Sequence, residues 1–381
     1  MFERTEDQQA LAEAVAEFCG QLMGPTLKED DENERFRREF IAEMGEQGFL
    51  GVQTEEAYGG LGLGYSEYAV VLEEIAKVSS SYAVSVAVTG LPQLILSKFG
   101  TDAQKEAWLP GLATGAFLGA FALSEPESGS DAGSLKATAV KEGDSYVLNG
   151  TKFWITHGGV ADIYIVMART GGEGPRGVSA FIVEGTADGL SFGKKEEKMG
   201  LRSSPTVEVV MDNVRIPASN RIGPEGFGFT VAMTALDSGR ITIAATAVGL
   251  SQAALDYATE YATQRRQFKK AIIDFQAVGF MLADMATSTE AARLLVAKAA
   301  WLRDQGRPHS NEAAMAKLYA TDTAMAVTTD AVQVLGGYGY VREHPVERYM
   351  RDAKVMQIVE GTNQIQRLVI SRHLKKACVD G

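Results

Sequence analysis

Residues Lys136–Thr156 read KATAVKEGDSYVLNGTKFWIT. Apolar and polar residues alternate here with the period of a half-buried strand. Lys136–Val140 and Ser145–Leu148 flank the turn Glu142-Gly143-Asp144. Asn149-Gly150 is a dipeptide that favours a type I′ hairpin turn, and it predicts a further strand over Thr151–Thr156. Similar runs recur at Ile163–Ala168, Val178–Val183, Leu190–Phe192 and Thr206–Met211. Short antiparallel strands between Gly-rich turns predict a β-barrel-like or sandwich domain over residues 119–228. Helices do not alternate with these strands, which argues against a doubly wound parallel sheet.

Both flanks have helical spacing. In residues 1–118, Leu11, Val15 and Phe18 recur at one helical period, as do Phe36, Phe40, Ile41 and Met44. Small residues at Ala83, Ser85, Ala87, Thr89 and Gly90 predict a closely packed helix, with Pro92 near its start or at a kink. Trp108-Leu109-Pro110-Gly111 reads as the end of this part. Gly60, Gly62 and Gly64 give G-x-G-x-G, which lacks the spacing and βαβ context of a dinucleotide loop and reads as a flexible connection. Residues 229–381 predict an antiparallel four-helix bundle, with Ser310 capping its third helix and Thr362 its fourth. The whole reads as mainly α with a middle β domain.

A net charge of −12 and the absence of a basic stripe argue against nucleic-acid binding. Cys19 and Cys378 lie far apart and suggest a reducing compartment. His157, His309, His344 and His373 lack metal-ligand spacing, so no metal is expected. No apolar run reads as a membrane span, and the N-terminus resembles neither a signal nor a transit peptide. The expected location is the cytoplasm of a bacterial-type cell, or the mitochondrial matrix for a matured eukaryotic chain.

The chemistry-bearing stretch is Val355–Arg367, VMQIVEGTNQIQR. Glu360 follows Val355, Met356, Ile358 and Val359, and burial in such company raises a carboxylate's pKa toward that of a general base. Two readings stay open at this point: a base, or a solvated residue at a helix junction. Leu123–Asp131, LSEPESGSD, offers hydroxyl and backbone donors to a heterocycle or forms an ordinary turn. Trp154 beside Thr156 suits stacking on a flat ring with a hydrogen bond to its edge, or a core tryptophan. Asp237 and Arg240 lie one helical turn apart, as a local ion pair or as a grip on a polar ligand. Arg265 and Phe268 share that spacing and suit a phosphate beside a ring, or a solvated helix end. Gln333–Gly337 admits close backbone approach or forms a plain C-cap.

In this order the pieces resemble the acyl-CoA dehydrogenase family over essentially the whole chain. The resemblance rests on LSEPESGSD (123–131), FWITHGG (153–159), KMGLRSS (198–204), LDSGR (236–240), QRRQF (264–268), QVLGGYGY (333–340), MRDAK (350–354) and VEGTNQIQR (359–367). It implies FAD as cofactor, usually a homotetramer, and a flavin between the β domain and the bundle. Ser124 would meet the flavin pyrimidine edge, Trp154 would stack near the ring and Thr156 would sit near N5. Leu123, Gly129, Ser130 and Ile155 would flank them, and Thr362 and Gln364 would complete the flavin contacts. Arg265, Phe268, Gln276, Gln333, Gly336 and Gly337 would reach the adenosine diphosphate half from a neighbouring subunit. Ser130, Asp237, Arg240 and Gly361 match positions that touch the CoA thioester.

The implied reaction is α,β-dehydrogenation of a short- or medium-chain acyl-CoA, branched or cyclic chains included, to a trans-2-enoyl-CoA. Glu360 matches the catalytic base, and an electron-transferring flavoprotein is the implied acceptor. The alternative is an acyl-CoA oxidase or another reaction of acyl-CoA on the same scaffold; a scaffold without enzymatic activity would lack bound flavin. Gly239 occupies the place where some branches carry the base, which favours Glu360. Val359 stands where many members have Tyr, which implies a wider pocket beside the thioester. Lys269 replaces the usual Gly after Phe268, implying an altered loop. Ala83 lies near the Arg position of the glutaryl-CoA branch, which argues against a dicarboxylyl substrate.

Overall fold

The computed structural model describes residues 3–380. The chain opens with α1 (Glu6–Met23), α2 (Leu27–Glu32), α3 (Arg38–Glu46), α4 (Tyr65–Val78), α5 (Ser80–Phe99) and α6 (Asp102–Ala113). α1 starts at a capping box, in which the Thr5 hydroxyl accepts from Gln8 N and the Gln8 side chain accepts from Thr5 N. The same device starts α6 at Thr101 and Gln104.

α5 is apolar and long enough to cross a bilayer, which the sequence reading did not anticipate; 78% of its apolar window is buried inside the fold. Its small residues let α4, α7 and β1 (Gly119–Ala122) approach closely. Pro92 lies in the helix interior and donates no backbone bond there. The next side chain ties α5 to its surroundings, as Gln93 Nε2 donates to the carbonyls of Leu50, Thr89 and Leu112. Residues 108–111 do not close this part, because α6 continues through them to Ala113. Nor is the Gly59–Gly64 connection a free loop: Leu61, Gly62 and Leu63 N–H groups donate to Gly51, Thr54 and Val52.

The middle of the chain forms one mixed sheet from β1, β2 (Thr138–Glu142), β3 (Ser145–Thr156), β4 (Ile163–Arg169), β5 (Val178–Glu184), β6 (Leu190–Phe192), β7 (Thr206–Pro217) and β8 (Arg221–Ile222). The order is β6-β7-β3-β2-β4-β5-β8, with β1 also pairing with β4. The β1–β4 and β2–β4 pairs are parallel, which departs from the all-antiparallel expectation. β4 is buried on both faces. Ile163, Ile165 and Met167 meet helices, whereas Tyr164, Val166 and Ala168 fill the core inside the sheet.

The predicted hairpin at Asn149-Gly150 is absent. β3 runs straight through the dipeptide, paired with β2 on one side and β7 on the other. The conformational freedom of Gly150, at φ +137°, serves a register shift against β7. Pairing on both edges overrides the local turn preference.

The C-terminal part consists of α7 (Gly228–Gln264), a hairpin of β9 (Arg266–Gln267) and β10 (Lys270–Ala271), then α8 (Gln276–Asp304), α9 (Ser310–Leu335), α10 (Val346–Met356) and α11 (Asn363–Asp380). α10 occupies what the sequence suggested was only a connection. Ser310 is the first residue of α9 and not its cap; His309 takes that place. α7 joins three cores: Val231 and Ala235 lie under the sheet, Ile241 to Leu250 pack with the N-terminal helices, and Ala254 to Ala262 pack with α8 and α9. The N- and C-terminal helices therefore share one core.

Candidate active site

α10 ends at Met356, and the chain turns back into α11 through Gln357–Thr362. Glu360 and Gly361 are consecutive left-handed residues, at φ +55° and +86°. Gly361 adopts this freely, but a glutamate pays about 1 kcal/mol or more in backbone strain. The turn is held from two helices. Lys317 Nζ on α9 donates to Gly361 O at 2.9 Å. Gln366 Nε2 on α11 donates to Glu360 O at 3.2 Å and to Gly361 O at 2.7 Å. Thr362 caps α11 as expected, its hydroxyl accepting from Ile365 N at 3.3 Å.

This geometry drives the Glu360 carboxylate against α7 at Gly239, where any Cβ would overlap Oε2. The residue is partly exposed as a whole, but Oε2 is buried and has no hydrogen-bond partner. Burial pushes the carboxyl up to about 7, against the pull of Arg240 and then Lys317. Arg240 Nη1 pairs with Asp237 Oδ1 at 2.5 Å, with the arginine side chain only 7% exposed. Ser310 Oγ donates to the same Asp237 oxygen at 2.9 Å. This is no surface ion pair; Arg240 Nε also lies buried without a partner, like Glu360 Oε2.

On the β side, Trp154 is 61% exposed at φ +61°. It sits where the β3–β7 register shifts between Lys152 and Ile155, and such a bulge re-aims a side chain. Ser124 O accepts from Phe153 N at 2.9 Å, which docks the Leu123–Asp131 loop beside the bulge. Ser130 and Gly129 are exposed and Thr156 is partly exposed. Leu123 and Ile155 turn their side chains into the cores, so neither offers a side chain to a ligand.

Glu125 and Lys152 fix this loop, and the sequence reading assigned neither a role. Glu125 accepts from Lys136 N at 2.6 Å and Ala137 N at 2.9 Å. Buried Lys152 donates to Glu125 at 2.7 Å and to Leu123 O at 3.1 Å. Lys152 alternates into the strand as any polar residue would, and only its burial reveals it.

The remaining candidates form a separate cluster. Arg265 and Phe268 do not share a helix face, because α7 stops at Gln264. Phe268 and Lys269 form the left-handed turn of the β9–β10 hairpin, at φ +48° and +71°. Phe268 is 88% exposed. Arg265 lies over the Tyr338 ring at 5.3 Å. Arg265, Gly336 and Gly337 line a groove of about 630 Å³. Both glycines face open space. Gln276 opens α8 and Gln333 lies in the last turn of α9. Arg240 and Arg265 are some 25 residues apart along α7, roughly 37 Å at 1.5 Å per residue. In one chain the groove at Arg265 is therefore distant from Arg240.

Family models describe three consecutive parts of this chain: the acyl-CoA dehydrogenase N-terminal domain over residues 5–116, the middle domain over 120–214 and the C-terminal domain over 226–375. A short-chain specific acyl-CoA dehydrogenase of Clostridium acetobutylicum is 44% identical over 372 residues, covering 97% of this chain and 98% of that protein. The structure of butyryl-CoA dehydrogenase from Megasphaera elsdenii matches at a TM-score of 0.96 and 45% identity, covering 98% of this chain and 99% of that one. A chain from the structure of the electron transferring flavoprotein of Acidaminococcus fermentans matches at a TM-score of 0.96 and 46% identity, with coverage of 98% and 99%. From its first helices to α11, this chain belongs to the acyl-CoA dehydrogenase family.

Proposed function

We propose that the protein dehydrogenates a short acyl-CoA between Cα and Cβ, with Glu360 as the base. The observation that carries this is the buried, unpartnered Oε2 of Glu360, aimed at Gly239 beside an unpartnered Arg240 Nε. A buried carboxylate whose pKa is raised to about 7 suits removal of a weakly acidic α-proton. Glu360 N–H is the proposed donor to the thioester carbonyl oxygen as charge develops there. Asp237, Arg240, Ser130 and Gly361 are the proposed contacts of the CoA thioester. Ala83 at the buried face of α5 carries no charge for a distal carboxylate, which supports an uncharged acyl chain, and the smaller Val359 in place of Tyr is in keeping with a branched one.

The residues present fit FAD. Exposed Trp154 on its bulge offers a stacking face, with Ser124, Thr156, Thr362 and Gln364 as polar neighbours. The open glycines and Arg265 of the distal groove suit a diphosphate and adenosine. FAD, when bound, accepts the β-hydrogen with its electron pair. The distal groove lies some 37 Å along α7 from Arg240, and we assign it to the flavin of a neighbouring chain. A homotetramer built as a dimer of dimers is the proposed assembly. We further propose an electron-transferring flavoprotein as acceptor, in line with the likeness to the Acidaminococcus structure. The cytoplasm is the proposed location, and residues 118 and 228 the proposed domain boundaries.

Anaerobic flavin bleaching against acyl-CoAs of graded length and branching tests the reading, and no bleaching by any of them would overturn it. Only the ionised carboxylate takes a proton, so the bleaching rate should rise with pH through about 7. A rate flat across that range would remove Glu360 from the role. Arg265→Ala should lose flavin on dialysis, and retention equal to the parent would count against the distal groove as its site.

A further inference from the structure

We infer that Lys317 is a positioning residue for the base, which holds the Glu360–Gly361 turn by its carbonyl and sets a cation beside the carboxylate. This rests on the reading of Glu360 above. Lys317 is fully buried on α9 among Ala313, Ala314, Ala316 and Ala320. Its Nζ donates to Gly361 O at 2.9 Å and to Asn363 Oδ1 at 2.8 Å. Asn363 is itself fixed, as its Nδ2 donates to Asp322 Oδ1 at 2.7 Å. Among the described residues no carboxylate touches the ammonium, whose hydrogen bonds go to Gly361 O and Asn363 Oδ1, although a buried cation ordinarily needs one.

The acceptors explain this arrangement. A neutral core side chain would satisfy α9 at this position but would leave Gly361 O with Gln366 as its side-chain donor. With Glu360 and Gly361 both left-handed, the turn persists only where its surroundings fix it. The charged groups that act on Glu360 are Arg240 on α7 and Lys317 on α9. Those acting on Lys317 are Glu360, Asp322 and Arg240. Burial alone would protonate Glu360 and neutralise Lys317; each favours the charged form of the other. Lys317, itself pulled down to about 7 by burial, thus adds to Arg240 in lowering the pH at which the base is ready.

The test uses the FAD-loaded enzyme. Bleaching by butyryl-CoA reports the full reaction. Exchange of the α-hydrogens of tert-butylacetyl-CoA in D₂O reports the base alone, because that acyl group has no β-hydrogen. Lys317→Met should slow both about 100-fold at neutral pH, since small misplacements of a base carry that cost. It should also move the pH midpoint upward, with flavin content unchanged. Lys317→Gln keeps a donor without the charge. It should approach the parent rate at high pH and show the same upward midpoint. Should Lys317→Met fail to hold flavin, the Lys317→Gln midpoint decides. A parental rate and midpoint in a folded Lys317→Met, or a parental midpoint in Lys317→Gln, overturns the proposal. Glu360→Gln separates the two claims. If it exchanges tert-butylacetyl-CoA at the parental rate, the base assignment fails and takes Lys317 with it. If it is silent while the Lys317 variants match the parent, only the Lys317 proposal fails.

Discussion

Glu360→Gln should retain FAD and bind acyl-CoA, yet bleach about 10²–10⁴-fold more slowly, the usual contribution of a positioned general base. The amide keeps the size of the side chain and cannot take the α-proton. Its effect on stability should be opposite in kind. Burial raises the folded-state pKa of Glu360 to about 7 from an ordinary value of 4.5. The folded protein therefore holds that proton more tightly than the unfolded chain does. The stabilising effect of this protonation is present below about 4.5 and lost as pH rises through about 7. Glu360→Gln should thus melt at a higher temperature than the parent in mildly alkaline buffer, and the difference should shrink in acid. Bleaching near the parental rate would place the base elsewhere. Melting curves that coincide in alkaline buffer would contradict the burial of the carboxylate.

Gly239→Ala should inactivate without unfolding. Position 239 lies within α7, where alanine is favoured over glycine by about 1 kcal/mol. The added methyl would overlap Glu360 Oε2 and sit 2.7 Å from Cδ. Those atoms end a flexible side chain, so the carboxylate gives way and the helix does not. Bleaching should fall about 100-fold, with flavin content and melting temperature at or above those of the parent. Unchanged bleaching would mean that the carboxylate does not work from the position facing α7. An unstable variant would mean that the turn, and not the side chain, carries the strain.

The helix–sheet–helix plan was legible in the sequence because its period changes are long and clean. β4 and β5 are apolar on both faces, and the Ala-rich helices have few breakers. The errors have local causes. Asn149-Gly150 has hairpin chemistry, but two flanking strands pair straight across it. A real left-handed turn at Phe268-Lys269 was hidden because lysine stands where glycine would have signalled it. Glu360 and Arg240 were legible from neighbouring residues and motif order. Lys317 was not, since lysine suits an exposed helix position as well as alanine does. Its one hint is position: it follows Ala313, Ala314 and Ala316 on the buried face of α9. That Arg240 and Arg265 lie far apart in one chain follows from α7 being one unbroken helix up to Gln264, in keeping with the neighbouring-subunit role that the resemblance implied for Arg265.

α5 has a consequence for how the chain is made. Its apolar surface is covered in part by α7, whose first residue, Gly228, is translated long after Phe99. At about 5–20 residues per second, that interval is on the order of 10 s. For that time a segment apolar enough to be taken for a membrane span stands without its main cover at the ribosome. During that interval α5 has α4 and α6 to pack against, but not α7. The finished enzyme shows no sign of this, because α7 conceals the segment once it arrives.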